Sequence, residues 1–150
     1  VLNRFIMQAA VNHPLTVHGT GRQTRAFIHI KDTAKCIELA IKYRPKKNDR
    51  VKILNQMTET HNIKDLAKTV SSLTGAKIEY LINPRNEDSE NDLFVENDCF
   101  LQLGLKPTTL KEGLIIEIKD IAKKFSNRYD KTKIVSKSFW NKKIAKKYKY

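Results

Sequence analysis

Cysteine, proline and glycine are all scarce in this 150-residue chain, which contains two, four and five of them. Cys36 and Cys99 form no CxxC pair, so the sequence indicates neither a zinc site nor a disulfide framework. No apolar run approaches the ~18 residues that a membrane span requires. We therefore expect a soluble protein that holds no metal ion and is long enough to form one domain with a real core.

Acidic residues are in the minority, with 16 Asp and Glu against 29 Lys and Arg and a formal net charge of +13. The excess lies at one end, because residues 123–150 contain eleven basic residues against Asp130 alone, a net charge of +10. Such a segment suits an acidic partner, an anionic surface or nucleic acid. Its aromatic residues can stack on bases, but no RNA- or DNA-binding motif accompanies them. Binding of nucleic acid or an anionic surface through this segment is therefore the alternative function.

Apolar periodicity and turn residues predict short strands that alternate with helices. The predicted helices cover 2–12, 33–43, 62–74, 96–104 and 108–125, and the predicted strands cover 15–19, 25–30, 50–55 and 77–82, with a charged loop at 83–92. This pattern predicts a small mixed α/β domain, with too few strands for a complete doubly wound sheet. We expect residues 1–125 to form this α/β portion and residues 126–150 to form a basic C-terminal arm.

Several local features give sharper expectations. Asp32 is predicted to cap the second helix, and Asn62 and Gly75 are predicted to begin and end the third. Thr109 and Glu112 stand in capping-box relation at the last helix. The second helix is predicted to bury five apolar side chains: Ala34, Ile37, Leu39, Ala40 and Ile41.

The stretch GTGRQTRAFIHIKD, residues 19–32, is the most informative motif. A dinucleotide site requires GxGxxG between a strand and a helix, whereas here only GxG is present and a strand follows. Arg22 and Arg25 remain beside a tight turn, and guanidinium groups bind phosphate or carboxylate with two hydrogen bonds. On local grounds, two arginines at the exposed end of a hairpin are the preferred interpretation, and a site for an anion is the alternative.

The longer segment HPLTVHGTGRQTRAFIHIKDTAKCIELAI resembles the extended short-chain dehydrogenases, the NAD-dependent nucleotide-sugar epimerases and dehydratases. Their pattern there is roughly P-L-x-V-x-G-x-G-x-Q-x-R-x-[FY]-[IL]-x-[IV]-x-D. Other pieces that are similar to this family follow in the right order: LNRFIMQAAVNHPLTV, LNQMTET, NPRNEDSEN, LGLKP and SFWNKK. The resemblance implies the substrate-binding, C-terminal portion of a Rossmann-type enzyme.

The resemblance also implies roles for individual residues. Arg25, with Gln23 and Thr24 beside it, is implied to contact the diphosphate of a nucleotide sugar. Arg85 is implied to be the second diphosphate ligand, and Glu87 or Asp88 to meet the ribose hydroxyls. Thr16 and His18, on the strand at 15–19, are implied to contact the uracil. Asn3 and Arg4, on the first helix, are implied to approach the sugar nucleotide.

Cofactor and partners are implied in the same way. The family's Gly-rich loop and its catalytic tyrosine and lysine belong to an N-terminal Rossmann half that this sequence does not contain. The two YxxxK matches here, Tyr43…Lys47 and Tyr129…Lys133, are interpreted as chance, so no catalytic residue is assigned. We expect a piece of a longer enzyme that is inactive alone, whose other half binds NAD. For the whole enzyme the resemblance implies UDP-glucose and sulfite as substrates and a homodimer. It also implies a location in the plastid stroma or in a prokaryotic cytoplasm.

Overall fold

A computed structural model describes residues 1–83, 90–91, 93–125 and 127–135 of the chain. Helices and strands occur in the order α1 (Leu2–Ala10), β1 (Leu15–His18), β2 (Arg22–Phe27), α2 (Ile30–Lys42), β3 (Glu59–Asn62), α3 (Ile63–Thr74), β4 (Ile78–Leu81), β5 (Glu90–Asn91), α4 (Asp98–Gln102) and α5 (Leu110–Phe125). A single 3-10 turn, Lys131–Lys133, follows. The mixed α/β class predicted from the sequence is confirmed.

Contacts divide the chain into two compact units. The first comprises the described residues of Val1–Thr24, Asn62–Asp92 and Leu114–Tyr150, and the second comprises Arg25–His61 and Leu93–Gly113. None of the helices in the described part of the chain has both the length and the hydropathy that crossing a membrane demands.

The first unit is built on a parallel pair of strands. β1 pairs with β4 in a register that places Leu15 opposite Ile78 and His18 opposite Leu81. Helices α1 and α3 contact each other and β1. Each helix is amphipathic, because its apolar residues recur every three or four positions and lie on one side. Their buried side chains form the core together with β1: Phe5, Ile6, Leu15, Val17, Leu66, Ala67 and Val70.

Residues at its own two ends set the limits of helix α3. The Asn62 side chain accepts a hydrogen bond from the Lys64 backbone N–H at 3.2 Å, which satisfies one of the free N–H groups of the first turn. At the other end, Gly75 adopts a left-handed conformation with φ +74°, and its N–H donates to the Ser71 carbonyl. Both predictions for this helix are confirmed.

The second unit packs α2 against the α4 region. Its core cluster contains Cys36, Leu39, Phe100 and Leu105. Of the five residues predicted to be buried on α2, only Leu39 is buried; Ala40 is half-buried, and the other three are exposed. The prediction misjudged which face of the helix contacts the core, because α2 is apolar on two sides.

Asp32 is not the cap of α2, contrary to prediction. The helix begins at Ile30, three residues earlier than predicted, and the Nδ1 atom of His29 accepts the Lys31 backbone N–H at 3.2 Å. Asp32 is instead buried, and its carboxylate accepts both the N–H (2.6 Å) and the hydroxyl (3.2 Å) of Thr108. A contact across 76 residues therefore competes successfully with the local capping role.

The strands differ from prediction: β3 and β5 were not predicted, and two of the predicted strands are changed. β2 starts at Arg22 rather than Arg25 and ends at Phe27, because α2 already begins at Ile30. Residues 50–55 do not form a strand in the structure, although their composition is typical of one. β2 lies between β3 and β5 in a three-stranded sheet.

Candidate functional site

The Gly19–Thr20–Gly21 turn joins β1 to β2 and is closely packed. Gly21 has φ +69°, and a Cβ atom placed there would lie 2.7 Å from a methyl carbon of Val17 and 3.3 Å from Lys64. The Gly21 carbonyl accepts the Lys64 backbone N–H at 2.8 Å, which ties the turn to the start of α3. This glycine allows the backbone to approach Val17 and Lys64 closely.

The carboxyl ends of β1 and β4 meet beside this turn, because the two strands are parallel. The Gly19 N–H donates to the Leu81 carbonyl at 2.8 Å. Two residues further along the chain, the Asn83 side chain lies beside Gly19, where an added Cβ would be 3.4 Å from it. Loops at the carboxyl ends of parallel strands are the usual position of ligand sites in α/β proteins.

Strand β5 returns the chain to the same place. Its two residues pair in parallel with β2, Glu90 opposite Arg22 and Asn91 opposite Gln23. The Asn91 side chain adds two hydrogen bonds to the Thr24 backbone, accepting its N–H at 2.8 Å and donating to its carbonyl at 3.4 Å. The described residues on both sides of the segment 84–89 are thus fixed against residues 19–24.

The predicted residues Arg85, Glu87 and Asp88 lie outside the described residues, within that segment. The three predicted residues of β2 are described. Gln23 is buried at 4% exposure, and Thr24 and Arg25 are half-buried. Arg25 is the first residue of the second unit, and Gln23 and Thr24 end the first of the three segments that form the first unit.

Thr16 is enclosed by polar side chains from α1. Gln8 donates from Nε2 to the Thr16 hydroxyl at 2.7 Å and accepts the Thr16 N–H on Oε1 at 3.1 Å. Arg4 donates from Nη2 to the Thr16 carbonyl at 2.8 Å, and its guanidinium lies over the Phe5 ring at 5.7 Å. Thr16 is only 1% exposed, so its neighbours, rather than solvent, occupy its polar groups.

Gln8 is a residue that the sequence reasoning missed. It is 1% exposed and holds β1 against α1 through both amide atoms. The sequence contained a signal for its burial, because Gln8 is one helical turn after Phe5 and Arg4 and so lies on the apolar side of an amphipathic helix. A buried amide requires hydrogen-bond partners.

Asn3 and Arg4 line a cavity of about 390 Å³ within the first unit. Its other lining residues are Met7, Gln8, Val11, Tyr129, Asp130, Lys133 and Ile134. Asn3 is exposed, whereas His18, at the last position of β1, is half-buried. Asn3 lies on helix α1, and His18 lies at the end of strand β1.

Neither YxxxK match forms the helical pair that this chemistry needs. Tyr43 caps the end of α2, and Lys47 follows beyond Pro45. Tyr129 lies outside any helix and its hydroxyl donates to the Val11 carbonyl at 3.4 Å, while Lys133 ends the short 3-10 turn. A tyrosine and a lysine four residues apart share one face only when an α-helix joins them.

Cys36, Glu59 and His61 make structural contacts within the second unit. Burial raises the pKa of the Cys36 thiol above its ordinary value, and the Asp32 carboxylate raises it further. Glu59 accepts the Leu110 N–H at the start of α5 and is paired through its other oxygen with His61 at 2.7 Å. The described residues contain no cluster of three His, Cys, Asp or Glu side chains able to hold a metal ion.

The Gly19–Gly21 turn does not have the form of a loop that binds the pyrophosphate of NAD. The only closely spaced glycines, Gly19 and Gly21, lead into strand β2 rather than into a helix whose free N–H groups could bind phosphate. Val17 and Lys64 occupy the space beside the Gly21 Cα.

Comparison with known proteins identifies the class. The sequence profile of the NAD dependent epimerase/dehydratase family matches residues 1–55. Among solved structures, a UDP-glucuronic acid 4-epimerase variant from Bacillus cereus, in complex with UDP-4-deoxy-4-fluoro-glucuronic acid and NAD, is 25% identical with a TM-score of 0.65. The match covers 81% of this chain and 39% of that one. UDP-glucose 4-epimerase from Thermotoga maritima has the same fold, at 17% identity, TM-score 0.65 and the same coverage of each chain. The chain belongs to the NAD-dependent epimerase/dehydratase family, as its motifs predicted.

Within that family the chain is similar to UDP-sulfoquinovose synthases. The chloroplastic enzyme of Spinacia oleracea is 38% identical over 146 residues, which is 94% of this chain and 30% of that protein. The enzyme of Sulfolobus acidocaldarius is 32% identical over 150 residues, covering 95% of this chain and 38% of that protein. The chain therefore spans about a third of the length of the curated relatives it matches.

Proposed function

We propose that this chain is the UDP-sugar-binding portion of an NAD-dependent enzyme that converts UDP-glucose and sulfite to UDP-sulfoquinovose, the head-group donor of sulfolipid. Two things support the proposal: the similarity to UDP-sulfoquinovose synthases over 94% of the chain, and the arrangement around β2. The observation that carries it is the attachment of both ends of segment 84–89 to residues 19–24. On this proposal Arg85 belongs to the segment between those two attachments.

Arg25 and Arg85 are proposed as the ligands of the diphosphate. Arg85 follows Asn83 by two residues in the sequence, and Arg25 follows Thr24, whose backbone is bonded to the Asn91 side chain. Guanidinium groups bind a diphosphate with charge-assisted, two-pronged hydrogen bonds.

The other proposed contacts follow the same edge. Glu87 or Asp88 is assigned to the ribose hydroxyls, because it lies within the same six-residue segment as Arg85. For the uracil we propose Thr16 and His18, on strand β1. For the sugar Asn3 is favoured over Arg4, because Arg4 donates to the Thr16 carbonyl. Gln23 and Thr24 support Arg25 from the same strand.

NAD is proposed to bind residues outside these 150. The family is NAD-dependent, and the turn of this chain most similar to a cofactor loop leads into a strand. The two curated relatives have about two thirds of their length beyond the matched region. On this proposal the chain alone binds the nucleotide sugar weakly and does not catalyse the reaction.

Titration of UDP-glucose by calorimetry tests the proposal, using the protein as its gene encodes it. Loss of one charge-assisted contact costs about 1.5–3 kcal/mol, so Arg25→Ala and Arg85→Ala are each expected to raise the Kd by about 10- to 150-fold. Arg44→Ala is the matched control, because Arg44 is an exposed arginine in the loop after α2. Its Kd should stay within about twofold of the parent. Unchanged affinity in both Arg25→Ala and Arg85→Ala would refute the assignment.

A further inference from the structure

The positive charge of the chain is concentrated in residues 123–150, which we call the basic segment. It has a net charge of +10, because its eleven basic residues are opposed by one acidic residue, Asp130. The other 122 residues contain 18 basic and 15 acidic residues, a net charge of +3. Solubility alone requires mixed charges spread over the surface, so a concentration of this kind is suited to a partner of opposite charge.

The basic segment begins in the last turn of α5. Lys123 and Lys124 lie in that turn and are exposed, and the helix dipole favours basic residues at this end. The effect of the dipole falls off within the last turn, so it does not account for the basic residues that follow the helix. Arg128, three residues beyond the end of α5, is also exposed.

Asp130 neutralises little of this charge. Its carboxylate accepts the backbone N–H of Thr132 at 2.9 Å and the Thr132 hydroxyl at 2.7 Å. It also lies 3.7 Å from the Lys133 Nζ atom, in an ion pair whose lysine side chain is 84% exposed. One exposed ion pair of this kind leaves the segment strongly positive.

The type of basic residue indicates the type of partner. Ten of the eleven are lysines, and Arg128 is the exception. Recognition of nucleic acids relies on the planar fork of arginine, whereas lysine acts as a compact point charge. The negative surface potential of a membrane attracts clusters of such charges without any requirement for a fixed geometry. The composition therefore favours an anionic lipid surface over a nucleic acid.

Apolar and aromatic residues are interleaved with the lysines in the sequence. Phe139, Trp140 and Ile144 occur among six lysines in residues 136–150. Residues of these types enter the boundary between lipid head groups and acyl chains while neighbouring lysines contact the head groups. Binding of this kind is peripheral and requires no helix that spans the membrane.

We propose that the basic segment binds the surface of a membrane that contains anionic lipids. The choice of a membrane rests on the proposed function, because a UDP-activated sugar that serves as a lipid head-group donor is consumed by transfer of the sugar to a lipid acceptor. An enzyme held at the membrane releases its product beside that acceptor. A second copy of the chain is a poor alternative partner, since its own net charge is +13.

Co-sedimentation with lipid vesicles tests the proposal, using the protein as its gene encodes it. Vesicles of phosphatidylcholine with about one third phosphatidylglycerol should bind the parent at least about 100-fold more tightly than vesicles of phosphatidylcholine alone. Raising NaCl from about 0.05 M to about 0.5 M should remove most of that difference, because salt screens the attraction. Each lysine at an anionic surface contributes about fivefold to binding. Replacing both Lys123 and Lys124 by glutamine should therefore weaken vesicle binding about 10- to 30-fold.

A larger change and its matched control each remove four positive charges. The first variant replaces four lysines of the basic segment by glutamine: Lys142, Lys143, Lys146 and Lys147. Its vesicle binding should be weaker by at least about 100-fold. The control replaces by glutamine four exposed basic residues that follow α2: Arg44, Lys46, Lys47 and Arg50. Its binding should stay within about threefold of the parent, because charges more than a Debye length from the lipid surface are screened.

Three outcomes would overturn the membrane contact. The first is equal binding of both kinds of vesicle by the parent, and the second is a four-lysine variant that binds anionic vesicles as tightly as the parent does. The third is tighter binding of an oligonucleotide than of anionic vesicles at the same salt concentration, which makes a nucleic acid the partner.

A UDP-glucose titration of the same protein separates this proposal from the proposed function. Tight UDP-glucose binding without binding of anionic vesicles refutes only the membrane contact. Binding of anionic vesicles without any UDP-glucose binding refutes the assigned substrate and leaves the membrane contact in place.

Discussion

Gly21 and Gly75 provide a matched test of how tightly the β1–β2 turn is packed. Both have a left-handed backbone, with φ +69° and +74°. A methyl group at Gly75 meets nothing within 4 Å, whereas one at Gly21 lies 2.7 Å from Val17 and 3.3 Å from the Lys64 backbone N. Alanine at either position therefore incurs the same conformational cost, and only Gly21→Ala adds a steric one.

The expected magnitudes follow from these contacts. A left-handed alanine costs about 1–2 kcal/mol, which is the whole effect expected for Gly75→Ala. Overpacking in a closely packed region adds about 1–3 kcal/mol, so Gly21→Ala should lose about 2–5 kcal/mol of unfolding free energy. For a chain of this size each kcal/mol lowers Tm by about 2–4 °C.

Urea denaturation followed by circular dichroism measures the difference, with an unchanged m-value as the check that the unfolded state is comparable. UDP-glucose titration supplies the second measurement. The Gly21 carbonyl is bonded to Lys64 and the next residue begins β2, so Gly21→Ala should also weaken UDP-glucose binding, while Gly75→Ala should not. If the two variants are equally stable, the turn is not closely packed and the steric part of this reasoning is refuted.

Two further predictions concern the second unit. Asp32→Asn should destabilise the protein by about 1–3 kcal/mol in urea denaturation, because the buried carboxylate accepts two hydrogen bonds from Thr108. The control is Asp49→Asn in an exposed turn, which should change the free energy of unfolding by less than about 0.5 kcal/mol. Equal effects would mean that the Asp32–Thr108 contact contributes little. At pH 8 Cys36 should react with N-ethylmaleimide far more slowly than Cys99, because Cys36 is buried with a raised pKa and Cys99 is exposed. Comparable labelling rates by mass spectrometry would contradict the burial of Cys36.

Local sequence features were sufficient wherever an element is stabilised by its own residues. Asn62 and Gly75 delimit α3 through hydrogen bonds that span two to four residues, so they could be recognised in the sequence. The strands around Val17 and at 78–81 were found in the same way, from alternating apolar residues and nearby turns. Recognition of the family also came from sequence, because several unusual motifs occur in the right order.

The errors arose where a distant contact competes with a local one. Aspartate commonly caps helices, but the Asp32 carboxylate accepts hydrogen bonds from Thr108, and His29 takes the capping position instead. Gln8 is an ordinary helical residue in the sequence, and only the packing of α1 on β1 makes it the partner of Thr16. Residues 50–55 have strand composition, yet a strand requires a neighbouring strand, and the described chain offers none.

The sequence by itself determined the family, the α/β class and the limits of helix α3, because each depends on residue types at short or recognisable spacings. Only the tertiary structure decided which stretches lie together. The parallel pairing of β1 with β4 carries the chain from Leu81 to Asn83 beside Gly19, and β5 returns it to β2 opposite Arg22. Such pairings join residues almost seventy positions apart, and the hydrogen bonds and packing that select them are made only in the folded chain.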